Sequence, residues 1–227
     1  MSSNFYVMSA IALDVFMIAY TLWVLSLNQK GKMPWSIGAG LAVWLVILHF
    51  GLSNQLLFSP KISGIAFLLV IFGGVGLVGA MLFSIKSIRT RLLELTQEQL
   101  LLLQGIRVFF GAGFLMQAAQ GHIPLVFGVI DGWTHITAGF LGLAAAFTVS
   151  KKLYGNSRIL FANLFGLADI LIVASSIALI LLPELTPHHT MMYAVFLPAP
   201  LWLWFHLISL WKLKKLEGLV LQPYDQN

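Results

Sequence analysis

Seven apolar runs dominate the chain, at about residues 5–27, 34–57, 62–85, 99–119, 122–150, 158–182 and 189–211. Each holds roughly 20 or more mostly apolar residues, the length a helix needs to cross the hydrocarbon of a bilayer. The breaks between them are polar or carry Pro and Gly, as in Asn28 to Pro34, Lys86 to Gln99, Gln120-Gly121-His122 and Lys151 to Arg158. No strand-like alternation persists in any run. A helix satisfies its backbone groups within one segment, which lipid demands. The pattern predicts an all-α fold: a polytopic membrane protein built as a seven-transmembrane-helix bundle, with one domain over 1–218 and a short cytoplasmic tail over 219–227. The first run follows Met1-Ser2-Ser3-Asn4, which has no basic stretch, and is long enough to span. It is therefore read as a helix and not as a cleaved leader.

Charge orients this bundle. Eleven of the 13 basic residues fall on alternate breaks: Lys30 and Lys32; Lys86, Arg89 and Arg91; Lys151, Lys152 and Arg158; Lys212, Lys214 and Lys215. Lys61 alone falls on the other side, and Arg107 lies inside the fourth run. Basic loops stay cytoplasmic. The expected topology has the N-terminus outside and the C-terminus in the cytoplasm, in a plasma or inner membrane. The stretch Arg89 to Gln99 mixes charge with leucine, as in an amphipathic surface segment or an extension of the fourth helix. Trp23, Trp35, Trp202, Trp204 and Trp211 are expected mostly as interfacial anchors.

Composition removes several classes of function. Only 9% of the 227 residues are charged, against roughly 25% in a soluble domain. There is no cysteine, so thiolate metal sites and cysteine nucleophiles are absent. The basic residues sit in membrane loops, so their net charge of +5 does not mark nucleic-acid binding. No phosphate loop, GxSxG elbow, GxGxxG fingerprint or HExxH is present. The seventh run has no lysine to anchor a retinal Schiff base.

Ionisable side chains at membrane depth are the remaining candidates for chemistry. They are Asp14, His49, Arg107, Asp131, His135, Asp169 and His206. Asp131 and His135 are four apart and share a helical face, with Gly128, Gly132 and Gly139 on or beside it. That predicts a polar stripe with room for a ligand or another helix. Gln104 shares a face with Arg107, and Arg107 is expected to pair with Asp131 or Asp169, because a buried guanidinium needs an acceptor. Asp14 has no polar neighbour on its face and is expected to be structural. Pro198 and Pro200 should kink the seventh helix.

Three readings follow. The first is a small-molecule binder or proton-coupled carrier using Arg107, Asp131, His135, Asp169 and Gln104. The second is a metal or haem protein, with His49, His122 and His188 as metal candidates and His49 with His135 as haem ligands. The third is a non-catalytic subunit or assembly factor. In it, the small-residue face of Gly73, Gly74, Gly76 and Gly79 meets a protein partner or a second copy. Catalysis is left open under the second reading and is not favoured by the other two, and lipid is the expected surrounding.

Overall fold

The computed structural model describes residues 3–27, 34–57, 61–151, 156–182 and 191–220. Among these residues ten α-helices run in order: α1 Ser3–Ser26, α2 Trp35–Ser53, α3 Gly64–Ser84, α4 Lys86–Glu94, α5 Gln97–Leu102, α6 Arg107–Ala119, α7 Leu125–Ser150, α8 Asn156–Ser176, α9 Met191–Phe196 and α10 Pro198–Val220. A π-helical turn, Ile177–Leu181, extends α8. No strand occurs among the described residues. Among the described residues, seven helical spans are long and apolar enough to cross a membrane. Their outward faces are apolar too. Val46, Phe50, Leu69, Val126, Phe140, Phe161 and Ile172 are all exposed. A soluble protein rarely shows so much contiguous apolar surface, whereas a lipid-facing bundle must.

Two of the seven spans are broken. Run four divides at Leu103–Ile106 into α5 and α6. There the backbone tightens to i→i−3 bonds: Gln104 N to Leu101 O at 3.1 Å, Gly105 N to Leu102 O at 2.8 Å, and Arg107 N to Gln104 O at 3.1 Å. Mid-helix tightening of this kind often marks a site under constraint. Tyr20 of α1 donates to Leu102 O at 2.7 Å, supporting the same turn. Run seven divides at Leu197, where the two prolines fall. Pro200 has no N–H for Phe196 O, and the Trp44 indole of α2 donates to that carbonyl instead, at 3.0 Å.

Other boundaries moved for local reasons. The fifth span begins at Leu125, not His122, because Gly121 turns with φ +72° and Pro124 precedes the helix. The loop segment is amphipathic, as one of the two expectations had it, and is not a continuous extension of the fourth span. It forms its own helix, α4, and Thr96 then opens α5 with a capping box to Gln99. Residues 221–227, and so most of the expected tail, lie outside the described residues, as do Lys30, Lys32 and Lys152.

The small-residue face of α3 is divided. Gly79 is buried under the Trp204 ring, and Trp204 donates to Val75 O at 2.9 Å. Gly73 and Gly76 open outward with nothing within 4 Å of a built Cβ. Trp204 is thus an internal clamp and not an interfacial anchor. Trp202 is also a correction: it is 1% exposed, inside the core, whereas Trp23, Trp35 and Trp211 are exposed.

Candidate functional site

The fold brings four of the five expected binding residues into one buried cluster. Arg107 opens α6 directly after the tightened turn, Asp131 and His135 project from one face of α7, and Asp169 comes from α8. The close approach of α6 and α7 depends on glycine. A Cβ on Gly132 would lie 2.9 Å from Gly111 O, so neither position has room for a side chain. The glycines beside Asp131 and His135 therefore admit a neighbouring helix, not a ligand.

Arg107 is fully buried and donates from Nη2 to Asp169 Oδ2. Its Nη1 donates to Gly166 O at 3.3 Å and to His206 Nε2 at 3.1 Å. Its Cζ sits 5.1 Å from the centre of the Trp202 ring, a cation–π contact. His135 Nδ1 lies 3.0 Å from Asp131 Oδ1 and 3.1 Å from Asp169 Oδ2, within ion-pair reach of both. It aligns a hydrogen bond with neither, and both Asp131 oxygens and Asp169 Oδ1 are buried without hydrogen-bond donors. One imidazole nitrogen thus serves two carboxylates, while aromatic rings hold it in place. Phe114 meets it edge-on at 5.4 Å and Trp202 at 5.8 Å.

Asp131 and His135 also form the polar floor of a cavity of about 40 Å³ between α3, α8, α9 and α10. Its other walls are apolar, among them Phe72, Ile170, Ala194 and Leu203. That space holds one to a few water molecules, since a water needs roughly 10–15 Å³ by the same kind of measure.

Behind Arg107 a second polar row runs toward α5. His206 Nδ1 meets Asn163 Oδ1 at 2.9 Å, Asn163 Nδ2 donates to Ser209 Oγ at 2.8 Å, and Gln97 Nε2 donates to the same oxygen at 2.5 Å. The row contains two amides and a guanidinium, which hold their protons firmly. It braces the cluster and does not conduct protons through it.

Asp131, His135 and Asp169 are the one group of three such ligands found together among the described residues, with donor atoms within 4.8 Å of one another. They fit a metal ion poorly. The Arg107 guanidinium is bound to the same Asp169 carboxylate, and a divalent ion taken by its other oxygen would sit beside that fixed positive charge.

The remaining expected residues are placed elsewhere. Gln104 is buried, and neither end of its amide finds a hydrogen-bond partner. His49 Nδ1 meets Tyr193 Oη at 2.7 Å, and His122 packs its ring 3.7 Å from that of Tyr6. His188 lies outside the described residues. Asp14 is fully buried with no hydrogen bond to either oxygen, so it is not held in a structural pair.

Several cluster residues escaped the sequence reading. Trp202 passed for an anchor. Gly166 gives no signal of its own, yet a Cβ there would collide with the His206 ring and reach within 3.1 Å of Arg107 Nη1. His206 was visible as a buried histidine, but its partner Asn163 lies on another helix.

Residues 65–214 match a family model described as a domain of unknown function, DUF8737. No curated protein and no solved structure matches the chain.

Proposed function

The chain belongs to the DUF8737 family, and we propose that it is a membrane-spanning protein that binds a small cation at its central cluster in exchange for a proton. In this reading the N-terminus lies outside and the C-terminus in the cytoplasm, as the alternation of Lys and Arg between loops supports.

Charge balance among four buried groups carries the proposal. Arg107 and Asp169 neutralise each other. Asp131 and His135 then hold one proton between them: the carboxylate with an imidazolium, or the acid with a neutral ring. Either form is neutral overall. Loss of that proton leaves one net negative charge facing an apolar cavity, and an uncompensated charge at membrane depth costs several kcal/mol. A monovalent cation entering the cavity restores neutrality. The exchange balances as one cation in and one proton out. Asp131 and His135 bind the proton and orient the incoming ion, Arg107 holds Asp169 ionised, and the apolar walls favour a weakly hydrated organic cation. A guest larger than a few waters requires α3 to move away from α8 and α10. The proline break at Leu197 supplies a second flexible point in the same wall.

The test uses purified protein in weakly buffered detergent micelles. Tetramethylammonium, and then longer tetraalkylammonium ions, are titrated in while a dye reads pH. Proton release is expected from the wild type and not from Asp131→Asn, whose fold is checked by circular dichroism. If no ion in the series releases a proton from the wild type, the exchange reading is wrong. Counterflow in vesicles then separates carrying from binding.

A second reading, a subunit that docks a partner helix, draws support from Gly73 and Gly76, which face outward with open space above them. In that case Asp131→Asn changes assembly in the native membrane and leaves proton release absent in both forms.

A further inference from the structure

Asp14 is used by nothing described so far. It sits near the middle of α1, fully buried, and both of its carboxylate oxygens lack a hydrogen-bond partner. An isolated carboxylate at this depth is not tolerated as a bare charge. It lines a small cavity of about 10 Å³, roughly the space of one water. The cavity's other polar walls are Tyr193 of α9 and the Gln117 amide of α6, and no other charged side chain lines it. Tyr193 is 2% exposed, and its hydroxyl meets His49 Nδ1 at 2.7 Å. His49 is itself exposed, about one turn before the C-terminal end of α2. In the N-outside topology that end faces the exterior.

We propose that Asp14 is a second proton-binding site, loaded from the outer side through His49, Tyr193 and one water. Each member is chemically suited to the task. Imidazole accepts a proton on one nitrogen and gives one from the other, a phenol hydroxyl accepts and donates together, and a water spans the remaining gap. No amide interrupts the path, unlike the row behind Arg107. The step is a simple transfer: His49 takes a proton from outside, the Tyr193 hydroxyl passes one on as it receives another, and the Asp14 carboxylate becomes the neutral acid.

The site lies beside the central one. Phe114 and Ala194 line both cavities, so one aromatic ring and one methyl group form the partition. Phe114 also touches His135 edge-on, so a turn of this ring would open one space to the other. Transfer across Phe114 to Asp131 and His135 rests on the exchange reading above, whereas loading of Asp14 does not.

Infrared difference spectroscopy of the full-length protein in vesicles tests this. A carboxylic-acid carbonyl band is expected to grow as pH falls. It should be missing in Asp14→Asn, retained in Asp131→Asn, and shifted in frequency in Asp14→Glu. In deuterated buffer, Tyr193→Phe and His49→Ala should slow exchange of that band about tenfold or more. A carbonyl region unchanged by both Asp14 substitutions would overturn the site. Exchange as fast in Tyr193→Phe as in the wild type would overturn the route. Loss of proton release in the tetraalkylammonium assay, with the Asp14 band intact, would overturn the exchange reading alone.

Discussion

Arg107 donates to Nε2 of His206 at 3.1 Å, and that single bond fixes the tautomer of a buried histidine. A guanidinium can only donate, so Nε2 must be the unprotonated nitrogen. The proton then resides on Nδ1 and is given to Asn163 Oδ1 at 2.9 Å. Asn163 turns its amide nitrogen to Ile159 O and Ser209 Oγ, both at 2.8 Å. Both ring nitrogens of His206 and the Asn163 amide are satisfied in this row, and His206 is held neutral next to a fixed positive charge. The row brings α5, α8 and α10 together around Arg107. The electrostatic work is left to His135, on the other side of the guanidinium.

Removing the guanidinium tests how much the pair contributes. Arg107→Ala leaves Asp169 buried with His135 as its one remaining cationic partner and orphans the His206 acceptor. A loss of about 3–5 kcal/mol is expected, because one partner of a buried pair is stranded. The measurement is unfolding in mixed micelles. In a double-mutant cycle, Arg107→Leu with Asp169→Leu should recover a large part of the loss. If the two single losses simply add, the pair is not coupled and the charge balance proposed for the cluster fails.

Gly166 has no polar atom beyond its backbone, yet its substitution should be among the most damaging in α8. A methyl group at this position meets the His206 ring and comes within 3.1 Å of Arg107 Nη1. Both neighbours are pinned by hydrogen bonds and cannot give way. Gly166→Ala should therefore cost about 1–3 kcal/mol in the same unfolding assay. Pairing it with His206→Ala should relieve most of the clash. A near-neutral Gly166→Ala would mean that the Arg107–His206 contact is not rigid.

These residues mark how far the sequence could be read. The seven spans were legible because about 20 apolar residues between basic breaks is a strong, local signal. Asp131 and His135 were legible together because i,i+4 spacing places them on one face. The pairing of Arg107 with a carboxylate followed from the cost of leaving it alone in lipid. The choice of Asp169 as its direct acceptor depends on how α6, α7 and α8 pack, and spacing along one helix carries no such information. Trp202 was misread for the same reason, since indole suits a membrane interface and a buried guanidinium equally well. The split of the fourth span was hidden too. Gln104-Gly105 is compatible with a continuous helix, and the tight turn is visible only beside Tyr20.

The helix break at Leu197 gives a separate prediction. In a continuous helix the residue at 200 would donate to Phe196 O, and proline cannot. The Trp44 indole fills that role from α2. Trp44→Phe keeps the ring and removes the donor. The carbonyl is then left unsatisfied in a dry setting, at a cost of about 1–3 kcal/mol. Pro200→Ala restores a backbone donor at that position. The double variant should therefore lose less than Trp44→Phe alone, and thermal unfolding of the three proteins reads the difference. Equal losses in the single and double variants would show that the indole serves packing only.

Topology is the premise on which the direction of both proton sites rests. A reporter fused after Asn227 should be active in the cytoplasm, and one placed before Ser3 should be active outside. The sharper test lies within the chain. A cysteine introduced at Lys61, between α2 and α3, should react with an impermeant thiol reagent added to intact cells, because the native chain has no cysteine to compete. A cysteine at Arg89 in α4 should react only after the membrane is opened. Reversed labelling would put His49 at the inner face, and Asp14 would then draw its proton from the cytoplasm. Labelling of both positions from outside would mean that α3, the one span between them, does not cross.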